Sequence, residues 1–250
     1  MIYGLDNNNE RICASYADRK NRYKCPGCGA NLILKRGEIN IPHFAHEKHQ
    51  RCDLLTENKM TMWHLNHQKH YPENEREVIL TFDGVKHIAD VKTGNVIIEF
   101  QHSPISYKVF SERNQFYHNF GTVVWVFDLI NKKENIDYTT YHWERKCNIS
   151  CGEEENFLSN MKWWQCPCRY CEDNKGRTNT YYHWKNASRM LGQCDFKALD
   201  NACMKCFFQF EENCFVRVTW NKNGVKTFSG YKMGLDGFHR FIERLKAIPE

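Results

Sequence analysis

Asp90, Glu99 and Gln101 interrupt an otherwise apolar run, HIADVKTGNVIIEFQHSPI, over residues 87–105. Core strands seldom carry carboxylates unless a partner or a metal meets them. Lys92-Thr93-Gly94-Asn95 is turn chemistry between two β-prone runs. With the hairpin centred between Thr93 and Gly94, Val91 pairs with Val96 and Asp90 with Ile97. Side chains alternate along a strand, so Ile97, Glu99 and Gln101 share a face, and Asp90 lies on it diagonal to Glu99. Two carboxylates and an amide converging in this way form a hard-oxygen site suited to Mg2+ or Mn2+. The bland alternative is an edge hairpin whose polar residues face water.

The cysteines point to a second kind of metal chemistry. Cys25-Pro26-Gly27-Cys28 is a knuckle that places two thiolates around one ion, and His43, His46 and Cys52 follow it. The expected structural zinc set is Cys25, Cys28, His46 and Cys52, with His43 as the alternate. So small a module has little core, and the metal would supply its stability. Nine of the thirteen cysteines lie from residue 145 onward. There Cys166, Cys168 and Cys171 are closely spaced, and Cys151, Cys203 and Cys206 are expected to complete a further zinc site, with Cys147 and Cys194 also available. An iron–sulfur cluster is the competing assignment for ligands that are all cysteine. Cys13 and Cys214 read as isolated buried thiols. Around the cysteines, Trp163, Trp164, Tyr181, Tyr182, Trp184, Lys185 and Arg189 interleave rings with cations, a pattern that suits either single-stranded nucleic acid or the core of a small metal-knit domain.

Composition sets the outer bounds. The 250 residues are 41% hydrophobic and 14% aromatic, which excludes a disordered chain despite a mean hydropathy of −0.71. The net charge of +5 leans only mildly toward a polyanionic partner. The first twenty residues lack an apolar h-region, and no apolar run reaches membrane-spanning length, so a cytoplasmic location with no membrane partner is expected. In a reducing compartment an odd cysteine count favours metal ligation over disulfides. The sequence is silent on oligomeric state.

The elements that must position these groups can be read from periodicity. Thr56 is expected to cap a helix running to about His70. Strands follow at residues 77–82, 86–91 and 95–101, separated by the turn Asp83-Gly84 and the hairpin above. Pro104 is expected to open a helix through Tyr117 with Ile105, Val109 and Phe116 inward. Thr122 to Leu129 is continuously apolar, which places it at the centre of a sheet beside a parallel neighbour. Near the C-terminus, Asn223-Gly224 marks a hairpin, and Asp236 is expected to cap an amphipathic helix with Phe238, Phe241, Ile242 and Leu245 inward. The expected domains are a zinc-binding module over 1–55, an α/β mixed-sheet core over 56–145, and a cysteine-rich, metal-binding domain over 146–250.

HIADV and IIEFQHSPI, followed by FSERNQFYHN and TVVWVFD, resemble the CoiA-like nuclease family. CPGC, Lys35-Arg36-Gly37, HFAH and WHLNHQK precede them in the same order. The resemblance covers roughly residues 20 to 130 and implies a restriction-endonuclease-like core of the PD-(D/E)xK superfamily. It further implies that Asp90 and Glu99 bind the catalytic metal and that Gln101 stands where the wider superfamily carries lysine. His64, with Lys69, would support the site from the preceding helix, while His67 and His70 read as a solvated polar face. The cations expected to meet DNA are Lys69, Arg113, Lys185 and Arg189. Two departures stand out: Met60 and Met62 lie near the helix position where an acid is common, and His87-Ile88 replaces a His-Arg pair. The implied function is a zinc-containing, divalent-metal-dependent deoxyribonuclease; the rival is a protein that retains the fold and binds DNA without cleaving it.

Overall fold

The computed structural model describes residues 1–37, 40–47, 61–130, 136–141, 179–184, 204–222 and 227–247. Within them the chain forms two sheets. The smaller is N-terminal and built from β1 (Tyr3–Leu5), β2 (Arg11–Cys13), β3 (Tyr23–Lys24), β4 (Asn31–Lys35) and β5 (His43–His46), in the order β2-β1-β3-β4-β5. Its core is small, holding Ala14, Ala17, Tyr23, Cys25, Leu32 and Phe44.

The larger sheet starts after helix α1 (Met62–Gln68), with β6 (Arg76–Phe82), β7 (Val85–Thr93) and β8 (Val96–Gln101). Helix α2 (Tyr107–Tyr117) leads to β9 (Thr122–Asp128). The sheet continues with β10 (Ile136–Tyr141), β11 (Asn179–Trp184), β12 (Met204–Glu211), β13 (Cys214–Lys222) and β14 (Thr227–Met233), and helix α3 (Leu235–Lys246) closes the chain. The strand order is β10-β11-β14-β13-β12-β9-β8-β7-β6. β9 runs parallel to both β8 and β12, as its unbroken apolar sequence requires. Strands β12, β13 and β14, expected in a separate domain, instead pair into the core sheet. The boundary expected at 145 does not divide them from it, because β12 completes the burial of β9.

Both faces of β8 are covered. Ile97 packs toward α2 with Val123, Trp125, Phe127, Phe110 and Phe208. Val96, Ile98 and Phe100 pack on the other side with Val124, Val126, Phe207, Phe238 and Ile242, and Trp63 of α1 joins them. Gly121 holds the β7–β8 hairpin against β9. Its φ is +134°, a Cβ there would lie 1.9 Å from the Asn95 carbonyl oxygen, and that carbonyl accepts from the Thr122 N–H at 2.9 Å.

Helix termini differ from the expected caps. Thr61, in extended conformation, caps α1, so Thr56 is not its cap; residues 56–60 lie outside the described set. α2 is capped by Ser106 and begins at Tyr107, three residues after Pro104. α3 starts after Gly234, and Asp236 sits in its first turn, while Asn213 accepts from the Leu235 N–H. Phe238, Ile242 and Leu245 face inward as expected. β13 pairs antiparallel with β14 from Phe215↔Met233 to Lys222↔Thr227, while Asn223-Gly224, expected to mark a hairpin, lies outside the described residues. Among the described residues no helix is long and apolar enough to cross a membrane.

Candidate active site

The β7–β8 register places the turn one residue later than the sequence suggested. Thr93 pairs with Val96 and Val91 with Ile98, so Gly94 and Asn95 form the loop, with Gly94 at φ +55°. Extending this register sets Asp90 directly opposite Glu99 instead of opposite Ile97. The ladder itself stops at Val91/Ile98. Beyond that pair the Asp90 carboxylate takes over: its Oδ2 accepts from the Phe100 N–H at 2.8 Å, and the Glu99 Oε1 accepts from the Asp90 N–H at 3.4 Å. β7 also changes face here. Ala89 packs with the α2-side core, whereas Val91 packs with the α3-side core. Across β6–β7 the residue opposite Asp90 is Glu77, whose φ is +43°. The departure from regular pairing leaves Asp90 in a seam between two strands, half-buried, with Gln68 Nε2 of α1 3.5 Å from its Oδ1.

Glu99 lies on the α2 face with Ile97 and Gln101 and is 2% exposed. Its Oε2 accepts from Arg113 Nη2 at 2.6 Å, and the same Nη2 lies 3.1 Å from the Tyr117 hydroxyl. The hydroxyl in turn donates to the Ile88 carbonyl at 3.2 Å. Arg113 and Tyr117 are one helical turn apart on α2, which brings both over the strand. Burial raises the Glu99 carboxyl above the usual carboxylate range; Arg113 opposes this and the neighbouring Asp90 adds to it. Gln101 is 2% exposed, and its amide donates to the Ser103 carbonyl.

Arg113, expected to contact DNA, is 6% exposed and spent on Glu99. That expectation is corrected, because a guanidinium enclosed in this way neutralises a carboxylate and does not face a phosphate. Lys69 is exposed at the end of α1. It borders a cleft of about 600 Å³ between α1 and the N-terminal sheet, with Tyr3, Tyr16, Gln68 and Arg76. His64, on α1, is buried with its ring against those of Trp63 and His102. Its Nδ1 accepts from the Thr61 N–H at 3.4 Å while its own N–H donates to Thr61 Oγ1 at 3.4 Å, a reciprocal cap. Burial lowers its pKa to about 4. His67, expected on a solvated face, is 7% exposed. It stacks on Phe100 and bonds Gln209 Oε1 at 2.8 Å, and burial lowers its pKa to about 4 as well.

In the N-terminal sheet, Cys25, Cys28 and His46 bring their ligand atoms within 4.8 Å of one another, the one such group among the described residues. Cys25 and Cys28 lie on the β3–β4 connection, and Gly29 turns the chain at φ +72°. His46 ends β5, with its Nε2 3.3 Å from Cys28 Sγ. His43 turns its Nδ1 to the Ile41 carbonyl at 2.8 Å and is not in the cluster. Lys86 of β7 donates to the Gly27 carbonyl at 2.6 Å, fastening this knuckle to the hairpin that carries Asp90. Glu77 adds a second tie, its Oε2 accepting from the Ile2 and Tyr3 N–H groups at 2.7 and 3.2 Å.

Cys206, expected among the C-terminal zinc ligands, is fully buried in the α2-side core on β12, level with Trp125 of β9. Cys52, Cys151, Cys166, Cys168, Cys171, Cys203, Lys185 and Arg189 lie outside the described residues. Sequence reasoning missed Arg113 and Tyr117 as partners of Glu99. The available signal was their spacing of four on a helix whose other inward residues are apolar. It also missed Gln68, and the pair His102–Asp128 at the ends of β8 and β9.

Residues 5–55 match the family model for the competence protein CoiA, N-terminal domain, and residues 87–209 match that for the CoiA nuclease-like domain. The second match crosses residue 145, in agreement with the continuous sheet. Competence protein CoiA of Bacillus subtilis (strain 168) is 24% identical over 162 residues, covering 56% of this chain and 43% of that protein. The match therefore spans less than half the length of that relative. No solved structure matches the chain.

Proposed function

We propose, for a chain that belongs to the CoiA-like family, that its nuclease-like domain is a divalent-metal-dependent deoxyribonuclease acting at Asp90, Glu99 and Gln101. The observation that carries this reading is the seam. Asp90 and Glu99 face one another where β7 and β8 part, and one backbone N–H already links them. The donor set fits a hard cation. Asp90 and Glu99 offer acceptor oxygens, Arg113 supplies a single positive charge, and burial beside Asp90 already penalises the Glu99 charge. Asp90 and Glu99 would hold Mg2+ or Mn2+, which when bound stabilises charge on the scissile phosphate and acidifies water.

The chain's own residues do the rest. Arg113 fixes the Glu99 rotamer through a charge-assisted bond at 2.6 Å. Asp90 is aimed by the Phe100 N–H and by Gln68. Gln101 can neither accept a proton at neutral pH nor supply a full charge, so its part is to orient by hydrogen bonding. A structural zinc on Cys25, Cys28 and His46, with Cys52 as fourth ligand, would hold the N-terminal sheet together, and Lys86 would transmit that rigidity to the hairpin.

A second reading is favoured by one observation: the Glu99 carboxylate is already committed to a buried guanidinium. A zinc-containing protein that binds DNA in uptake, recombination or defence without cutting would keep that pair closed. Incubating the protein with single-stranded, duplex and branched DNA in Mg2+ or Mn2+, beside Asp90→Ala and Glu99→Ala, separates the two. Metal-dependent cleavage lost in both variants supports the nuclease; binding without cleavage on every substrate supports the second reading.

A further inference from the structure

Glu77 of β6 is a non-glycine residue with φ +43°, in the left-handed region that ordinary side chains avoid. Such a backbone persists only where its surroundings over-determine it. Here the N-terminal sheet does so from both sides of one peptide. The Glu77 carboxylate is buried, and its Oε2 accepts from the Ile2 and Tyr3 N–H groups at 2.7 and 3.2 Å. The carbonyl of Arg76, one residue earlier, accepts from Arg11 Nη2, and a second Arg11 nitrogen donates to the Glu73 carbonyl. The Arg11 guanidinium is itself seated 3.8 Å from the centroid of the Tyr3 ring. The start of β1 and Arg11 of β2 thus grip β6 at the point where it leaves regular geometry.

On the next strand the departure reappears at Asp90. The β6–β7 ladder runs from Phe82↔Val85 to Val78↔Ala89 and resumes at Arg76↔Val91, so the pair left out is Glu77 and Asp90. Residues two apart on a strand ordinarily share a face, yet Ala89 packs on the α2 side and Val91 on the α3 side. With the alternation broken at residue 90, the Asp90 carboxylate turns into the gap between β7 and β8. There its Oδ2 accepts from the Phe100 N–H at 2.8 Å, and Gln68 Nε2 lies 3.5 Å from its Oδ1. An extended Glu77 would let the missing pair close and the alternation resume, and Asp90 would then project from one face of the sheet. We propose that Glu77 is a positioning residue for Asp90, and that the N-terminal sheet sets the metal-binding seam by holding Glu77 left-handed. The proposal rests on the nuclease reading above and makes the N-terminal sheet part of that site.

The test separates the backbone of Glu77 from its carboxylate. Glycine adopts a positive φ freely, whereas alanine does not. Glu77→Gly and Glu77→Ala lose the same two bonds to the N-terminal segment, so a mere tether predicts equal effects from both. Mn2+ binding to the full-length protein is followed by loss of the free-ion electron paramagnetic resonance signal, with Asp90→Ala as the blank. Glu77→Ala should weaken binding about 10–100-fold, the range for groups that orient metal ligands. Glu77→Gly should recover most of that loss, and rates of DNA cleavage in Mn2+ should fall in the order parent, glycine variant, alanine variant. Arg11→Ala leaves Glu77 in place and should weaken binding by less; it is read against the parent should Glu77→Ala fail to fold. Equal losses in the glycine and alanine variants, or parental affinity in Glu77→Ala or in the Arg11→Ala that replaces it, would overturn the proposal. A parent that takes up no more Mn2+ than Asp90→Ala would instead sink the nuclease reading.

Discussion

Replacing Arg113 by methionine tests the buried half of the site. Arg113 is 6% exposed and Glu99 2%, and they are joined at 2.6 Å. Breaking a buried pair by removing one partner typically costs about 3–5 kcal/mol, because a charge is left enclosed without compensation. In a chain of this size each kcal/mol moves Tm by roughly 2–4 °C, so Arg113→Met should lower Tm by about 6–20 °C. Glu99→Gln strands the guanidinium instead and should cost a similar amount. The double variant removes both charges, and its loss should fall short of the sum of the two singles by at least about 2 kcal/mol. The pH dependence has a definite sign. Without Arg113 the folded state holds a proton on Glu99 that the unfolded state has released, so Arg113→Met should lose stability as pH rises above the ordinary carboxylate range. Denaturant unfolding of the four proteins at pH 6 and pH 8 measures all of this. Single variants within about 1 kcal/mol of the parent, or strictly additive losses, would refute a buried, coupled pair.

Two further outcomes follow from other parts of the molecule. Metal analysis of the purified protein should find at least one tightly held zinc per chain, and Cys28→Ser should release it and loosen the N-terminal sheet; a folded, zinc-free protein would count against the cluster. His64 and His67, whose pKa values are lowered from 6.5 to about 4 by burial, stay neutral when folded but gain a proton when unfolded. Stability is therefore full above about pH 6.5 and lost as pH falls toward 4, by about 3 kcal/mol per ring, and His64→Asn with His67→Gln should flatten that limb in denaturant titrations.

What the sequence revealed and what it hid have physical causes. β9 was legible as a central parallel strand because its residues are apolar on both faces. Its partner β12 was not, since some seventy-five residues separate the two and periodicity carries no information about pairing at that range. The hairpin was misplaced by one position at its turn, which shifts the pairing by two residues. A two-residue slip preserves which face each side chain occupies, so Glu99, Gln101 and Ile97 still shared a face. The slip did change a diagonal neighbour into a direct one, as Asp90 now faces Glu99. The change of face along β7 at Asp90 had no local signal, because it depends on Glu77 of the adjacent strand. His67 looked like a solvated residue since nothing in HLNHQKH announces that Gln209, far along the chain, waits for its Nε2.

The carboxyl end of the parallel strands is divided by the sheet into two electrostatic settings. On the α2 side burial pushes Glu99 toward its protonated form, and on the α1 side burial pushes His64 and His67 toward their unprotonated forms. Desolvation acts with opposite sign on acids and bases but disfavours charge in both. Asp90 in the seam and His102 at the strand end keep better access to solvent. Arg113 marks the cost of this arrangement. Under the nuclease reading proposed above, a cation entering the seam would displace either a proton or the guanidinium from Glu99, so the ion pair that stabilises the fold would also set how readily the site takes up its metal.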